Sequence, residues 1–359
     1  MNQKIQLTRY VRVLSNVAVL TAAAAIAVTQ AQAAGITFWG TNDLNAFKWV
    51  ENGASSTGTQ TNLTAPTSPG WTDAFGIAID SAATPNVFVS DAGGNRVLEF
   101  NSSTSALIGT FATPPGNSGF NISPQEIALD ASGNLYTVSF GGQVEQYLNP
   151  TGANTLLQTL PGARGILVNG TTTYVDVEGP YGSFSLDSFT TGTTGTVTTN
   201  TYTGICGTNV CGQVRGMAIS GTTLYLADST WLGTGQIDEI NLTTFAETNV
   251  SFTGLDDPNS LSISGGNLYA ANYGNDTVTD YALTGGAPLN TFTITGGNPQ
   301  GIVFAGSEGT GSAEVGTPLF FTDVAPSPEP GTTSLLLLAS AVLAAGAFWR
   351  RKVNATRPS

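Results

Sequence analysis

The chain has 359 residues, 24 acidic against 11 basic side chains, a net charge of −13 at neutral pH and no histidine. Without histidine, Ser-His-Asp and Cys-His catalysis and zinc hydrolysis through His ligands are excluded. The acidic balance argues against nucleic-acid or anionic-lipid binding.

Lys4, Arg9 and Arg12 open the chain, an apolar run from Val13 to Val28 follows, and Ala31-Gln32-Ala33 ends it. This order predicts a secretory signal peptide over residues 1–33, cut before Ala34. Most basic residues lie in the two end segments, so the body keeps only Lys48, Arg96, Arg164 and Arg215.

The body, residues 34–324, is rich in Gly, Thr, Ser and Asn and has no long helical periodicity. Short apolar runs between turn residues predict an all-β domain. A bulky-small-bulky strand recurs as Ile77-Ala78-Ile79, Ile127-Ala128-Leu129, Ile166-Leu167-Val168, Met217-Ala218-Ile219, Leu261-Ser262-Ile263 and Ile302-Val303-Phe304. Gly76, Gly165, Gly216 and Gly301 stand just before four of them. Each copy leads to a strand centred on an aromatic: Phe88, Tyr136, Tyr174, Tyr225, Tyr269 and Phe320. Third strands follow in most copies, at 96–100, 143–147, 236–240 and 277–281. Copies start about 40–50 residues apart, the period of a four-stranded propeller blade. The prediction is therefore a six-bladed β-propeller, with seven blades as the alternative. Blades stack face to face, so inner strands must alternate in size rather than polarity.

The sixth copy lacks a third strand after Asp323, and Asn45 to Trp49 read like that strand. Ring closure by N-terminal strands removes exposed sheet edges. Ile36 to Trp39 compete with Leu319 to Asp323 for one position in that blade. Cys206 and Cys211 fit a small disulfide loop in an oxidising compartment.

The stretch Gly76-Ile77-Ala78-Ile79-Asp80, Val87-Phe88-Val89-Ser90-Asp91 and Ala92 to Val97, echoed at 124–136, resembles an NHL-type repeat. The resemblance spans about residues 36–324 and implies a propeller without naming an activity.

The residue heading each inner strand should face the mouth of the central channel: Phe75, Gln125, Arg164, Arg215, Asn259 and Gln300. Gln125, Arg164, Arg215, Asn259 and Gln300 form a candidate ring of polar donors for an exopolysaccharide or a small anionic ligand. In the plainer alternative, Arg164 and Arg215 pair with acids such as Asp176 or Asp228. No cofactor is expected apart from Ca²⁺, which would need Glu126, Asp176, Asp228, Asn259 or Asp323 to converge. Asp256-Asp257 and Asp238-Glu239 read as solvated turn and strand-edge charges, and Asp80 and Asp130 as turn-stabilising residues.

Residues 325–330 form a Pro-rich linker with Pro328-Glu329-Pro330, and an uncharged stretch runs from Gly331 to Trp349 before Arg350-Arg351-Lys352. The stretch is just long enough to span a hydrocarbon core of about 30 Å as a helix. The basic cluster would keep its own end cytoplasmic and the body outside. Residues 331–359 are thus read as a transmembrane helix with a basic tail. Pro328, Glu329, Pro330, Arg350 and Arg351 give the whole a resemblance to the PEP-CTERM sorting tag of Gram-negative bacteria. That resemblance implies processing by an exosortase, transient inner-membrane anchoring and delivery to the surface or extracellular matrix. A non-catalytic binding or structural module of the exopolysaccharide matrix follows as the first functional expectation. The alternative is a divalent-metal lactonase or esterase, since gluconolactonase-like propellers are similar six-bladed rings without an obligatory histidine.

Overall fold

Each predicted inner strand forms, and five of the six stand at the edge of their sheet. The computed structural model describes residues 36–51, 57–67, 70–112, 123–149, 153–179, 184–202, 213–229, 235–248, 250–305 and 313–314. All belong to the first of two compact units, Met1–Gly316 and Thr317–Ser359. The predicted signal peptide and C-terminal helix lie outside the described residues, as do Cys206 and Cys211. Among the described residues no helix is long and apolar enough to cross a membrane.

The N-terminal strands are β1 (Thr37–Asn42), β2 (Asn45–Glu51) and β3 (Gly58–Asn62). Blade 1 holds β4 (Ala74–Ile79), β5 (Asn86–Asp91), β6 (Arg96–Asn101) and β7 (Leu107–Ala112). Blade 2 holds β8 (Pro124–Leu129), β9 (Leu135–Ser139), β10 (Gln143–Leu148) and β11 (Ala153–Thr159). Blade 3 holds β12 (Ala163–Asn169), β13 (Thr172–Glu178), β14 (Phe184–Thr190) and β15 (Thr198–Tyr202). Blade 4 holds β16 (Gln213–Ser220), β17 (Thr223–Ser229), β18 (Gly235–Asn241) and β19 (Glu247–Thr248). Blade 5 holds β20 (Pro258–Ser264), β21 (Asn267–Asn272), β22 (Thr277–Ala282) and β23 (Asn290–Thr293). β24 (Pro299–Phe304) completes blade 6 in the order β24-β1-β2-β3. The inner strands touch in the closed cycle β4, β8, β12, β16, β20, β24 and back to β4, so the ring has six blades rather than seven. β25 (Ala313–Glu314) runs parallel to Ile219–Ser220, at the end of β16 away from Arg215.

Size alternation sets the stacking. Ile77 and Ile79 join the core shared with blade 6, whereas Ala78 joins the one shared with blade 2. Ile127 and Leu129 turn back to blade 1, and Ala128 turns on to blade 3. Met217 and Ile219 against Ala218 repeat the rule in blade 4. Each of the six blade interfaces has its own apolar cluster. The glycines before the inner strands follow from the same crowding. A Cβ on Gly76 would stand 2.5 Å from the Gln125 carbonyl, and one on Gly216 would stand 2.5 Å from the Ser260 Cα.

Ring closure settles the competition in blade 6. β1 pairs with β24, and Trp39 lies opposite Val303 in the position expected for Phe320. Asn42 takes the closing position expected for Asp323; residues 319–323 themselves lie outside the described residues. Asn45 to Trp49 do supply the third strand. Phe38 stacks on Trp49 with ring centroids 5.1 Å apart, and Trp49 meets Phe292 of blade 5 at 4.9 Å. The N-terminal segment is therefore bound both by a ladder and by a buried aromatic cluster.

Asp80 and Asp130 hold their turns as expected. Asp130 Oδ1 accepts from the backbone N–H of Ser132 and Asn134, both at 2.9 Å, and Asp80 Oδ1 accepts from Asn86 at 3.0 Å. Asp238 and Glu239 correct the sequence reading: both are buried rather than solvated edge charges. They sit in the third strand of a blade covered on both faces, so strand position alone did not expose them.

Candidate functional site

All six inner strands reach the channel mouth in the same way. The residue before the bend (Ala74, Pro124, Ala163, Val214, Pro258 or Pro299) pairs at or near the end of the second strand, and the ladder then shifts register. The shift falls at Phe75, Gln125, Arg164, Arg215, Asn259 and Gln300, the six predicted ring residues. A bulge at the rim of a sheet re-aims a side chain, and here it does so once per blade.

The structure brings these residues together in three groups. Asn259 Nδ2 donates to Gln300 Oε1 at 3.0 Å, and Gln300 Nε2 donates to Asp43 Oδ1 at 2.5 Å. Asn298 Nδ2 donates to the other Asp43 oxygen at 2.9 Å, which completes an arc over blades 5 and 6. On the far side Arg164 Nε pairs with Glu178 at 3.2 Å, and its guanidinium lies 5.1 Å from the centre of the Phe140 ring. Between them, the Arg215 guanidinium sits 5.1 Å over the ring of Phe75. Blades 4 and 1 face each other in the cycle, so this contact crosses the channel. Gln125 is half-buried beside them.

Acids surround this frame. Burial, then Asp43 and Asp91, push the Asp73 carboxyl up, while Arg215 pulls it down. Burial also raises Asp257, against a hydrogen bond from Ser229 and the attraction of Arg215. Burial works against the charge of Arg215 itself, and Glu126 counters it most, with Asp257 and Tyr273 adding to that support. Glu126 is 4% exposed, its Oε1 has no hydrogen-bond partner, and burial lifts its carboxyl to about 8 despite Arg215. Burial thus favours the protonated form of Glu126, and Arg215 favours the charged one. Glu126 occupies the position that holds glycine in four other copies.

The calcium set does not gather. Glu126 and Asn259 lie on inner strands, Asp176 and Asp228 on second strands, and Asp323 outside the described residues. The Asn259 Nδ2 is held by Gln300, and burial favours the uncharged form of Glu126. Among the described residues no three acidic, cysteine or histidine side chains are placed to hold a metal ion. The described donors therefore do not converge on the expected ion.

Sequence reasoning missed Asp43, Asp73, Glu178, Asp257, Tyr273 and Phe140. Asp73 and Asp257 stand two residues before Phe75 and Asn259, as Asn298 does before Gln300. Extending the repeat alignment by two positions would have found them. Phe140 is in the turn after β9 and remains 60% exposed, which repeat pattern alone does not reveal.

Residues 328–352 match the model of the PEP-CTERM protein-sorting motif. The chain therefore carries an exosortase sorting signal, which directs an exported protein to the cell surface, on a six-bladed propeller body. No curated protein matches the chain in sequence. A chain in the crystal structure of a nidogen/laminin complex is similar in fold, with a TM-score of 0.60 and 15% identity. The match covers 76% of this chain and 98% of that one, and it shows the propeller fold alone.

Proposed function

We propose that this protein is a non-catalytic, carbohydrate-binding module of the cell surface or exopolysaccharide matrix, and that it takes its ligand at the channel mouth. What carries the reading is the sorting motif at 328–352 joined to a propeller whose mouth is built from one register of all six blades. The chemistry of the mouth favours a neutral polyhydroxylated ligand over a small anion. The charge of Arg164 is met by Glu178 and that of Arg215 by the surrounding acids. Amides of Gln125, Asn259 and Gln300 and carboxylates of Asp43, Asp73 and Asp257 offer both donors and acceptors for hydroxyl groups. Phe140 adds an exposed ring, one face of which lies against Arg164. The signal peptide at 1–33 and the membrane helix at 331–349 belong to the same proposal, as the means of export and of presentation to the exosortase.

The test is retention of the protein in the matrix of its own cells. The wild type is expected to stay with the polysaccharide fraction. A Gln125→Ala/Phe140→Ala variant should be sorted normally but shed to the medium. Equal retention of both would remove the mouth from the proposal.

A further inference from the structure

Blade 4 has a short fourth strand. β19 has two residues, against four to seven in the fourth strands of the other five blades. Among the described residues it pairs with Glu239 and Ile240, and the ladder between β18 and β19 does not extend to Ile237 and Asp238. A cavity of 400 Å³ opens there, lined by Gln236, Asp238, Glu247, Thr248, Ser251 and Phe252. That is within the range of small-molecule pockets, about 300–1,000 Å³.

Asp238 is 6% exposed at its wall. One oxygen accepts from Gln236 Nε2 at 2.9 Å, and the other has no hydrogen-bond partner. Asp228 on β17 and Glu247 on β19 both act on it with like charge. The segment Val250–Phe252 brings no titratable group. A buried carboxylate with one unpartnered oxygen favours a charged donor, because charge-assisted hydrogen bonds offset desolvation best. Phe252 is fixed edge-on against Tyr225 and Tyr281, and supplies an aromatic surface of the kind that attracts cations. Among the described residues these acids form no metal-binding group, so the matching counterpart is an organic cation. Hydroxyls of Thr248 and Ser251 and the Gln236 amide extend the wall with groups that suit a polyol.

We propose that this cavity binds a primary ammonium carried by a small polyhydroxylated molecule of the amino-sugar class, with Asp238 and Glu247 as its anions. The site lies between blades 4 and 5, away from the channel mouth, and stands whether or not the mouth binds glycan. Burial, then Asp228 and Glu247, push the Asp238 carboxyl up to about 8. At pH 7 the incoming ammonium therefore displaces a proton: the Asp238 O–H gives its hydrogen to buffer, and an N–H···O contact to the resulting carboxylate replaces it.

The experiment is calorimetric titration of the purified full chain with glucosamine at pH 7, in two buffers of different ionisation heat. N-acetylglucosamine serves as the uncharged control. Glucosamine should bind with release of nearly one proton per site, and the control at least about tenfold more weakly, the worth of one charged hydrogen bond. Asp238→Asn should lose at least about tenfold in affinity and Glu247→Gln several-fold, with the melting temperature verifying that each variant folds. No binding of glucosamine, equal binding of the control, or unchanged affinity in both folded variants would overturn the proposal.

Discussion

Glu126→Gln isolates the cost of the buried acid beside the channel. Glu126 sits on an inner strand with one oxygen lacking a partner, and its folded pKa is about 8 against 4.5 for the free side chain. Below pH 4.5 both folded and unfolded chains hold the proton, and the group is neutral in its effect on stability. Between 4.5 and about 8 only the folded chain holds it, so stability falls as pH rises, by up to about 1.4 kcal/mol per pH unit. Over that window the loss approaches about 5 kcal/mol, and it levels off above pH 8. Glutamine keeps the shape and removes the titration. The two proteins should therefore be similar near pH 5, and the variant more stable by several kcal/mol at pH 8.5. Urea unfolding followed by tryptophan fluorescence from pH 5 to 9 reads this directly. If the wild-type and variant curves stay parallel, or if the variant is weaker at every pH, Glu126 is ionised and paired with Arg215, and the reasoning fails.

Three further outcomes follow from the packing and charge. Burial pushes Asp91 up, but hydrogen bonds from Thr72, Arg96 and Asp73 outweigh it and hold the carboxyl below its usual range. Asp91→Asn should thus cost about 2–4 kcal/mol at pH 6 by chemical denaturation, with the difference fading below about pH 4 as the wild-type carboxyl takes up its proton. Gly216→Ala should cost about 1–3 kcal/mol, because the new methyl meets the Ser260 backbone, whereas Gly109→Ala, with open space around it, should stay within about 0.5 kcal/mol. Trp49→Ala should cost about 3–5 kcal/mol and loosen ring closure, seen as a lowered melting temperature and faster exchange of the β1 and β2 amides.

The inner strands were legible because a residue buried on both faces leaves a two-residue size rhythm, and six repeats of it make a pattern that chance rarely copies. Ile77-Ala78-Ile79 and its five counterparts carried the blade count, and the six residues proposed for the mouth fall at the register shift of each inner strand. Blade 6 was harder. Trp39 and Phe320 both present an aromatic in a short apolar strand, and only pairing across the ring distinguishes them. Asp238 and Glu239 were misread because a strand pattern does not say that the neighbouring blade and the loop through Phe252 will cover them. The acids around Arg215 come from different blades, Glu126 from β8 and Asp257 from the loop before β20, and their convergence is a property of the closed ring.

The central claim is that a sorted propeller holds carbohydrate at its channel mouth. The most direct measurement is the binding isotherm of the purified full chain with the polysaccharide isolated from its own cells, beside that of Gln125→Ala/Phe140→Ala. Saturable binding by the wild type, weakened at least about tenfold in the variant, is the predicted result. Identical isotherms, or no binding by either protein, would contradict it.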